Sequence, residues 1–107
     1  METKPRKKRS DRKHAIYKIV IASECYVGVT VVDGGIVTSI KRRLNKHWYR
    51  RNDPTRWNWR IYEALRGVER DEPIVELIEV VRGKVAAHKR ERELIKVIGP
   101  TLNSDVR

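Results

Sequence analysis

Two short runs of apolar side chains, separated by two residues, open the patterned part of the chain. HAIYKIVIA occupies residues 14–22 and CYVGVTVV occupies residues 25–32, and both are rich in Ile, Val and Tyr. Such runs, joined by a connection as short as Ser23 and Glu24, are typical of a β-hairpin. PIVELIEVV at 73–81 has the same character and predicts a third strand.

The segment SIKRRLNKHWYRR at 39–51 has helical periodicity. Ile40 and Leu44 are four residues apart, so they lie on one stripe of a helix. Thr38 or Ser39 can cap the start of this helix with a side-chain oxygen. The sequence NDPTR follows and breaks the helix, because proline cannot continue it.

Two further helices complete the pattern. WNWRIYEALRG at 57–67 ends at Gly67, a common C-terminal stop, and directs three apolar side chains inward, namely Ile61, Tyr62 and Leu65. KVAAHKRERELIKVIG at 84–99 forms the last helix. The element order β-β-α-α-β-α predicts an α+β fold, a small mixed or antiparallel three-stranded sheet flanked by helices.

The chain length of 107 residues suits one domain. We assign residues 14–103 to this domain, residues 1–13 to a disordered basic arm and residues 104–107 to a short tail. No secretory signal and no apolar run of about 18 residues is present, which predicts an intracellular protein without a membrane span. The single cysteine, Cys25, excludes an intramolecular disulfide and a cysteine-based zinc site.

The charge is strongly positive and unevenly distributed. The net charge is +11, and the stretch 41–60 holds eight basic side chains against one acidic one, Asp53. A concentrated positive surface predicts binding to a polyanion, and nucleic acid fits better than a membrane surface. The alternative is a solvated surface that only improves solubility. The candidate nucleic-acid contacts in this stretch are Lys41, Arg42, Lys46, Arg50, Arg51, Arg56 and Arg60.

Aromatic side chains are interleaved with these arginines. Trp48, Tyr49, Trp57 and Trp59 all lie within the basic stretch. Aromatic rings beside arginines can stack on unpaired bases. The alternative, which we favour from the sequence, is that two of the three tryptophans pack in the core.

Glu91 is the most informative acidic residue, because it shares a helix stripe with apolar side chains. At 3.6 residues per turn this stripe contains Ala87, Glu91, Leu94, Ile95 and Ile98, whereas Glu93 faces solvent. A buried carboxylate costs several kcal/mol (roughly) unless it is paired or binds a metal. Glu91 is therefore a candidate metal ligand or acid/base group. The alternative is a core glutamate paired with an Arg or Lys.

Four separated motifs occur in an order that resembles the GIY-YIG nuclease family: AIY at 15–17, YVG at 26–28, Arg43 with His47, and Glu91 followed by PTLN at 100–103. The resemblance covers residues 14–103. Ala15 stands where the family usually has Gly, and Val27 where it usually has Ile. The separation between Tyr26 and Arg43 is longer than is usual in the family, which indicates an insertion between strand and helix.

The resemblance implies a role for each strand residue and for the acid. Glu91 would be the single protein carboxylate on one Mg²⁺ or Mn²⁺ ion. Tyr17 would be the general base, and Tyr26 would lie beside it across the hairpin and hold the water or a phosphate oxygen. Gly28 would let the backbone approach the nucleic acid closely. Each tyrosine has the alternative of being an ordinary core residue.

The resemblance also implies roles for three residues outside the hairpin. Arg43 would bind the scissile phosphate with its planar guanidinium. His47 would contact the same phosphate or tune Tyr17, or would be a plain surface histidine. Asn103 would hydrogen-bond the backbone or Glu91, and so orient the metal ligand.

The function implied is a metal-dependent DNA endonuclease that leaves 5′-phosphate and 3′-hydroxyl ends. Its partner would be duplex or branched DNA, with specificity supplied by a homodimer, a partner or the DNA structure. A non-catalytic basic nucleic-acid-binding protein is the main alternative. A degenerate nuclease fold reused as a scaffold is a weaker one.

Overall fold

The computed structural model describes residues 12–103, and within them three strands form one antiparallel sheet. Strand β1 (Lys13–Ile21) is central, with β2 (Glu24–Val31) on one side and β3 (Ile74–Arg82) on the other. The hairpin of β1 and β2 and the third strand confirm the three strands that the sequence predicts. Lys13, the last residue assigned to the arm, is the first residue of β1 and pairs with Arg82.

Helices follow in the predicted order. Helix α1 spans Ile36–Arg50, a single turn of 3₁₀ helix spans Pro54–Arg56, α2 spans Arg60–Arg66, and α3 spans Lys84–Ile98. The order β-β-α-α-β-α and the α+β class are thus confirmed. No helix among residues 12–103 is long and apolar enough to cross a membrane. Most of the predicted arm and the whole tail lie outside the described residues.

The sheet carries a hydrophobic cluster on each face, because successive side chains of a strand point to opposite sides. The larger cluster joins alternate residues of β1 to α1 and α2, and its fully buried members include Tyr17, Ile19, Ile61, Tyr62 and Leu65. The smaller cluster joins Ile16 and Val27 to Leu94 of α3. Helices therefore cover both faces, with α1 and α2 opposite α3.

The start of α1 differs from the prediction. The helix begins at Ile36, and neither Thr38 nor Ser39 caps it; Gly35 stands at the N-cap with φ 113° and provides no side chain. The buried Ser39 hydroxyl instead lies 2.6 Å from the Gly35 carbonyl oxygen and accepts a hydrogen bond from the Asp33 amide at 2.8 Å. Ser39 thus connects the segment before α1 to the helix by hydrogen bonds, from a position inside the helix.

The region before α2 also differs. Trp57 and Trp59 precede the helix, which begins only at Arg60, so helical periodicity does not govern these two residues. Their exposed fractions are 49% and 43%, and the expectation that two of the three tryptophans pack in the core is wrong. Ile98, assigned to the core stripe of the last helix, is 38% exposed because it is the final residue of α3.

The outer edge of β2 is partly covered by the segment after α3. The Leu102 amide donates to the Cys25 carbonyl at 3.0 Å, and the Asn103 side chain pairs with the next part of the strand. Pairing the free edge in this way protects it from association with another strand. It also brings the end of the described chain beside the YVG motif.

Candidate active site

A cleft of about 540 Å³ lies at the edge of β2, where the two faces of the sheet meet. Its walls come from both faces, since Arg43 belongs to α1 and Glu91 belongs to α3. Five of the six predicted catalytic residues line this cleft, namely Tyr17, Tyr26, Arg43, Glu91 and Asn103. The fold thus brings together residues that are far apart in the sequence. Val27 and Asn103, for example, are 76 positions apart and are joined by hydrogen bonds.

The two motif tyrosines lie side by side because of the hairpin register. Tyr17 pairs with Gly28 and Ile19 pairs with Tyr26, which puts the two rings diagonally on one face at 6.4 Å between centroids. Gly28 makes this possible: a Cβ at this position would lie 2.6 Å from the Tyr17 hydroxyl oxygen and 2.9 Å from Cε1 of Tyr26. Gly28 is buried and makes room for tyrosine rings, which differs from the predicted close approach to nucleic acid.

His47 lies behind Tyr17, in the core. It is 2% exposed, and its Nε2 atom is 3.1 Å from the Tyr17 hydroxyl while its Nδ1 atom is 3.1 Å from the Tyr62 hydroxyl. Of the two predicted roles, the one of tuning Tyr17 matches this position. Tyr62 was expected only as an inward-facing side chain, because a periodic pattern marks burial but does not reveal the partner of a hydroxyl.

Arg43 determines the directions of the two hydrogen bonds that link Tyr17, His47 and Tyr62. Arg43 acts on the Tyr17 hydroxyl with its positive charge, and an arginine side chain has no acceptor, so the Tyr17 hydrogen points away from the guanidinium. The Tyr17 hydrogen is then directed to Nε2 of His47. A neutral imidazole has one donor and one acceptor, so Nδ1–H donates to the Tyr62 oxygen. The chain runs Tyr17 to His47 to Tyr62.

Burial dominates the proton affinities in this chain. Burial raises the pKa of the Tyr17 hydroxyl well above its usual value, as do the nearby Tyr26 and Glu91, although Arg43 opposes the shift. Burial and the positive charges of Arg43 and Arg50 lower the pKa of His47 to about 3. At neutral pH, therefore, Tyr17 is protonated and His47 is neutral, the state in which one donates to the other.

The guanidinium of Arg43 places a positive charge at the cleft and has a hydrogen-bond donor that no described residue accepts. Its guanidinium contacts Tyr17, yet its Nε atom is buried and has no hydrogen-bond partner among the described residues. A buried donor without an acceptor costs about 1–3 kcal/mol. An anionic oxygen bound in the cleft would remove this cost. The geometry of Arg43 thus fits the predicted contact with a phosphate.

Glu91 places its carboxylate in the cleft from α3, with its side chain 20% exposed. The Nδ1 atom of His88, one turn earlier, lies 3.9 Å from a carboxylate oxygen of Glu91. Glu93, two residues on, is exposed and pairs with Arg90 at 3.1 Å. The two acids therefore face opposite ways, as the stripe predicts.

The cleft fits a hard cation only with help from its substrate. Glu91 is the single carboxylate among the described residues that line it, and no three His, Cys, Asp or Glu side chains of residues 12–103 form a metal-binding group. Mg²⁺ keeps several waters and typically binds one or two carboxylates together with substrate phosphates. One acid in the same cleft as an arginine that could bind a phosphate meets that requirement.

Asn103 binds the backbone of the edge strand. Its Oδ1 accepts from the Val27 amide at 2.8 Å, and its Nδ2 donates to the Val27 carbonyl at 2.9 Å. Of the two predicted partners, the backbone is thus the one engaged. Because Val27 lies between Tyr26 and Gly28, this pair of bonds fixes the strand that carries both.

None of the basic side chains predicted to contact nucleic acid is among the residues that line the cleft. Lys41, Arg42 and Lys46 are exposed on α1, and Arg60 is exposed at the start of α2. Arg50, Arg51 and Arg56 are partly buried, and two of them make bonds within the fold: Arg51 donates to the Trp48 carbonyl oxygen at 2.7 Å, and Arg56 pairs with Asp53 at 2.9 Å. Trp59, His88 and Arg92 also line the cleft, and none of them is among the predicted catalytic residues. The sequence indicates Trp59 only as one of four aromatic side chains that could stack on bases, and it indicates His88 and Arg92 only through their nearness to Glu91 in the last helix.

Comparison with protein-family models, with curated proteins and with solved structures finds no match to this chain.

Proposed function

We propose that this chain is a divalent-cation-dependent endonuclease of the GIY-YIG type, which hydrolyses DNA to 5′-phosphate and 3′-hydroxyl ends. The observation that carries the proposal is the meeting of Tyr17, Tyr26, Arg43 and Glu91 in one cleft. These residues come from β1, β2, α1 and α3, so no local feature of the sequence requires them to meet. A nucleophile-orienting group, a phosphate-binding cation and a metal-binding acid are what phosphodiester hydrolysis needs.

Arg43 binds the scissile phosphate in this proposal. Its buried Nε–H is directed to a non-bridging oxygen, which supplies the acceptor that the described residues lack. Negative charge on these oxygens grows as water attacks phosphorus, so the bond strengthens towards the transition state. The guanidinium keeps its contact with the Tyr17 hydroxyl, and this contact holds phosphate and tyrosine in one geometry.

Tyr17 orients the attacking water. Its hydrogen is donated to Nε2 of His47, so the remaining lone pair of the phenol oxygen can accept a hydrogen bond from water. As the water attacks, its proton passes to solvent water, because burial disfavours both a Tyr17 anion and a protonated His47. No free tyrosinate is formed, which matters because burial strongly disfavours that anion. The low pKa of His47 keeps Nε2 available as an acceptor at neutral pH.

Glu91 would hold the Mg²⁺ or Mn²⁺ ion. When bound, the ion supplies neutralisation of the phosphate and of the departing 3′ oxygen. Because a single carboxylate contributes to the site, we expect the ion and the DNA to bind together, each weakly without the other.

Cleavage of supercoiled plasmid tests the proposal. Glu91→Gln should lower the rate by at least about a hundredfold, because loss of the ion removes several kcal/mol of transition-state stabilisation. Glu93→Gln is the matched control, since it removes an acid from the solvent face of the same helix, and it should cleave normally.

The same plasmid experiment separates hydrolysis from binding. Both variants should bind DNA about as tightly as the wild type in EDTA, where no protein should cleave. Binding without cleavage by the wild type in Mg²⁺ and in Mn²⁺ would instead support a non-catalytic nucleic-acid-binding protein. Equal cleavage by wild type and Glu91→Gln would remove Glu91 from the mechanism.

A further inference from the structure

The three tryptophans of the chain are not equivalent, although each has an arginine beside it. The guanidinium carbon of Arg51 lies 3.9 Å from the ring centroid of Trp48, and that of Arg66 lies 3.8 Å from the ring of Trp57. Both distances are those of direct stacking, so an arginine already covers one face of each ring. Trp59 differs, since the guanidinium carbon of Arg56 lies over its ring at 5.5 Å, within cation–π range but too far for direct stacking.

Trp59 is supported from behind by a rigid partner. Its ring is stacked on Tyr62 with 5.6 Å between centroids and 5° between planes. Tyr62 is 1% exposed, and its hydroxyl is bound to His47. One face of the indole is therefore fixed against the core, while the side chain remains 43% exposed.

The position of Trp59 connects this surface to the candidate active site. Trp59 lines the same cleft as Arg43 and Glu91. A ligand that fits both features needs a flat aromatic group and a negative charge a short distance away. A nucleotide has both, and base–aromatic stacking is a common mode of binding to single strands.

We propose that Trp59 stacks on an unpaired nucleobase next to the scissile phosphate. In an uninterrupted duplex both faces of each base are occupied by neighbouring base pairs, so only an unpaired base can present a face to the indole. The substrate class is therefore DNA with a single-stranded or branched segment at the cleavage site. This inference rests on the proposed function for its placement beside the scissile phosphate, and its binding component stands without it.

The test compares binding to single-stranded and duplex DNA of the same sequence. Glu91→Gln protein in EDTA is used throughout, so cleavage does not enter the measurement. Trp59→Leu removes the aromatic face and keeps an apolar contact with Tyr62, and Trp57→Leu is the matched control. A single-stranded oligonucleotide carrying 2-aminopurine reports stacking directly through its fluorescence.

Trp59→Leu should weaken binding to the single strand by at least about fivefold and abolish the fluorescence quenching, with duplex affinity changed less than about twofold. Trp57→Leu should leave both affinities and the quenching unchanged. Trp59→Phe retains a ring, and it should recover most of the single-strand affinity. A thermal melt of each variant identifies any that is not folded at the assay temperature.

Three results would overturn the inference. They are unchanged single-strand affinity in Trp59→Leu, an equal loss for single strand and duplex, and an equal loss in Trp57→Leu. These results are independent of the nuclease proposal: plasmid cleavage that needs Glu91, together with no effect of Trp59, would leave the nuclease and remove the stacking site. Selective loss of single-strand binding in Trp59→Leu, together with no plasmid cleavage by the wild type, would keep the stacking site and remove the nuclease.

Discussion

Replacement of Gly28 by alanine tests whether the two motif tyrosines need the space that this glycine leaves. A Cβ at position 28 would lie 2.6 Å from the Tyr17 hydroxyl oxygen, 2.8 Å from Cζ of Tyr17 and 2.9 Å from Cε1 of Tyr26. Favourable contacts between such atoms are about 3.5–4.0 Å, so each pair overlaps by roughly 1 Å. Tyr17 cannot move aside easily, because it is fully buried and its hydroxyl is bound to His47.

Overpacking of this kind costs typically about 1–3 kcal/mol. We expect Gly28→Ala to lower the free energy of unfolding by about 2 kcal/mol, which in a domain of this size lowers the melting temperature by roughly 8–16 °C. Thermal and urea unfolding followed by circular dichroism measure this. Gly67→Ala is the control: its Cβ would meet the Ala64 carbonyl oxygen at 3.6 Å, an ordinary contact, and its stability should change by less than about 0.5 kcal/mol.

A double-mutant cycle identifies the obstacle. Tyr17→Phe removes the closest atom, the hydroxyl oxygen. The loss of unfolding free energy in the double variant Gly28→Ala/Tyr17→Phe should therefore be smaller, by about 1 kcal/mol, than the sum of the losses in the two single variants. Cleavage by folded Gly28→Ala should also fall, because Tyr17 is displaced from Arg43 and His47. A Gly28→Ala protein with the melting temperature and cleavage rate of the wild type would show that the two tyrosine rings do not need the space that Gly28 leaves.

Two further predictions concern the hydrogen-bond chain behind Tyr17. Tyr62→Phe removes the acceptor for Nδ1–H of His47 but retains the ring under Trp59. Cleavage by this variant should therefore fall by about tenfold with unchanged affinity for DNA. A cleavage rate equal to that of the wild type would contradict a role for the Tyr17–His47–Tyr62 hydrogen bonds in catalysis. His47 has a pKa of about 3 in the folded chain against 6.5 for an ordinary histidine, so the unfolded chain binds the extra proton between these values. The free energy of unfolding should therefore fall as the pH is lowered from about 6.5 to about 3, and His47→Gln, followed by urea unfolding at each pH, should show a shallower fall.

The order of the elements could be read from the sequence because each of them agrees with a local rule. Residues of β1 and β3 are rich in β-branched side chains, and α3 has a clear stripe that ends at Gly99. The stripe also placed Glu91 correctly on the side of the packed face. Local rules failed where a contact outside the helix decided the outcome, as at Ser39, whose hydroxyl binds Asp33 in the turn before α1.

The candidate site was only partly predictable for the same reason. Spacing within α1 brought out Arg43 and His47, but it could not reveal that one lines the cleft while the other is buried behind Tyr17. Tyr62 was expected in the core, and its bond to His47 crosses 15 residues of chain that no periodicity describes. Trp59 could be named from the sequence as an aromatic side chain able to stack on bases, but its place in the cleft could not be predicted, because it precedes α2, where a helical wheel does not apply.

If the cleft between Arg43 and Glu91 hydrolyses a phosphodiester bond, single-turnover cleavage of an end-labelled branched DNA measures this most directly. The reaction is run in Mg²⁺ with the wild type, Arg43→Lys and Glu91→Gln, the product ends are identified, and the affinity of each protein for the DNA is measured in EDTA. We expect 5′-phosphate and 3′-hydroxyl ends from the wild type, and a loss of rate by at least about a hundredfold in both variants with DNA affinity retained. An unchanged cleavage rate in either variant, or no cleavage by a wild type that binds the DNA, would contradict it.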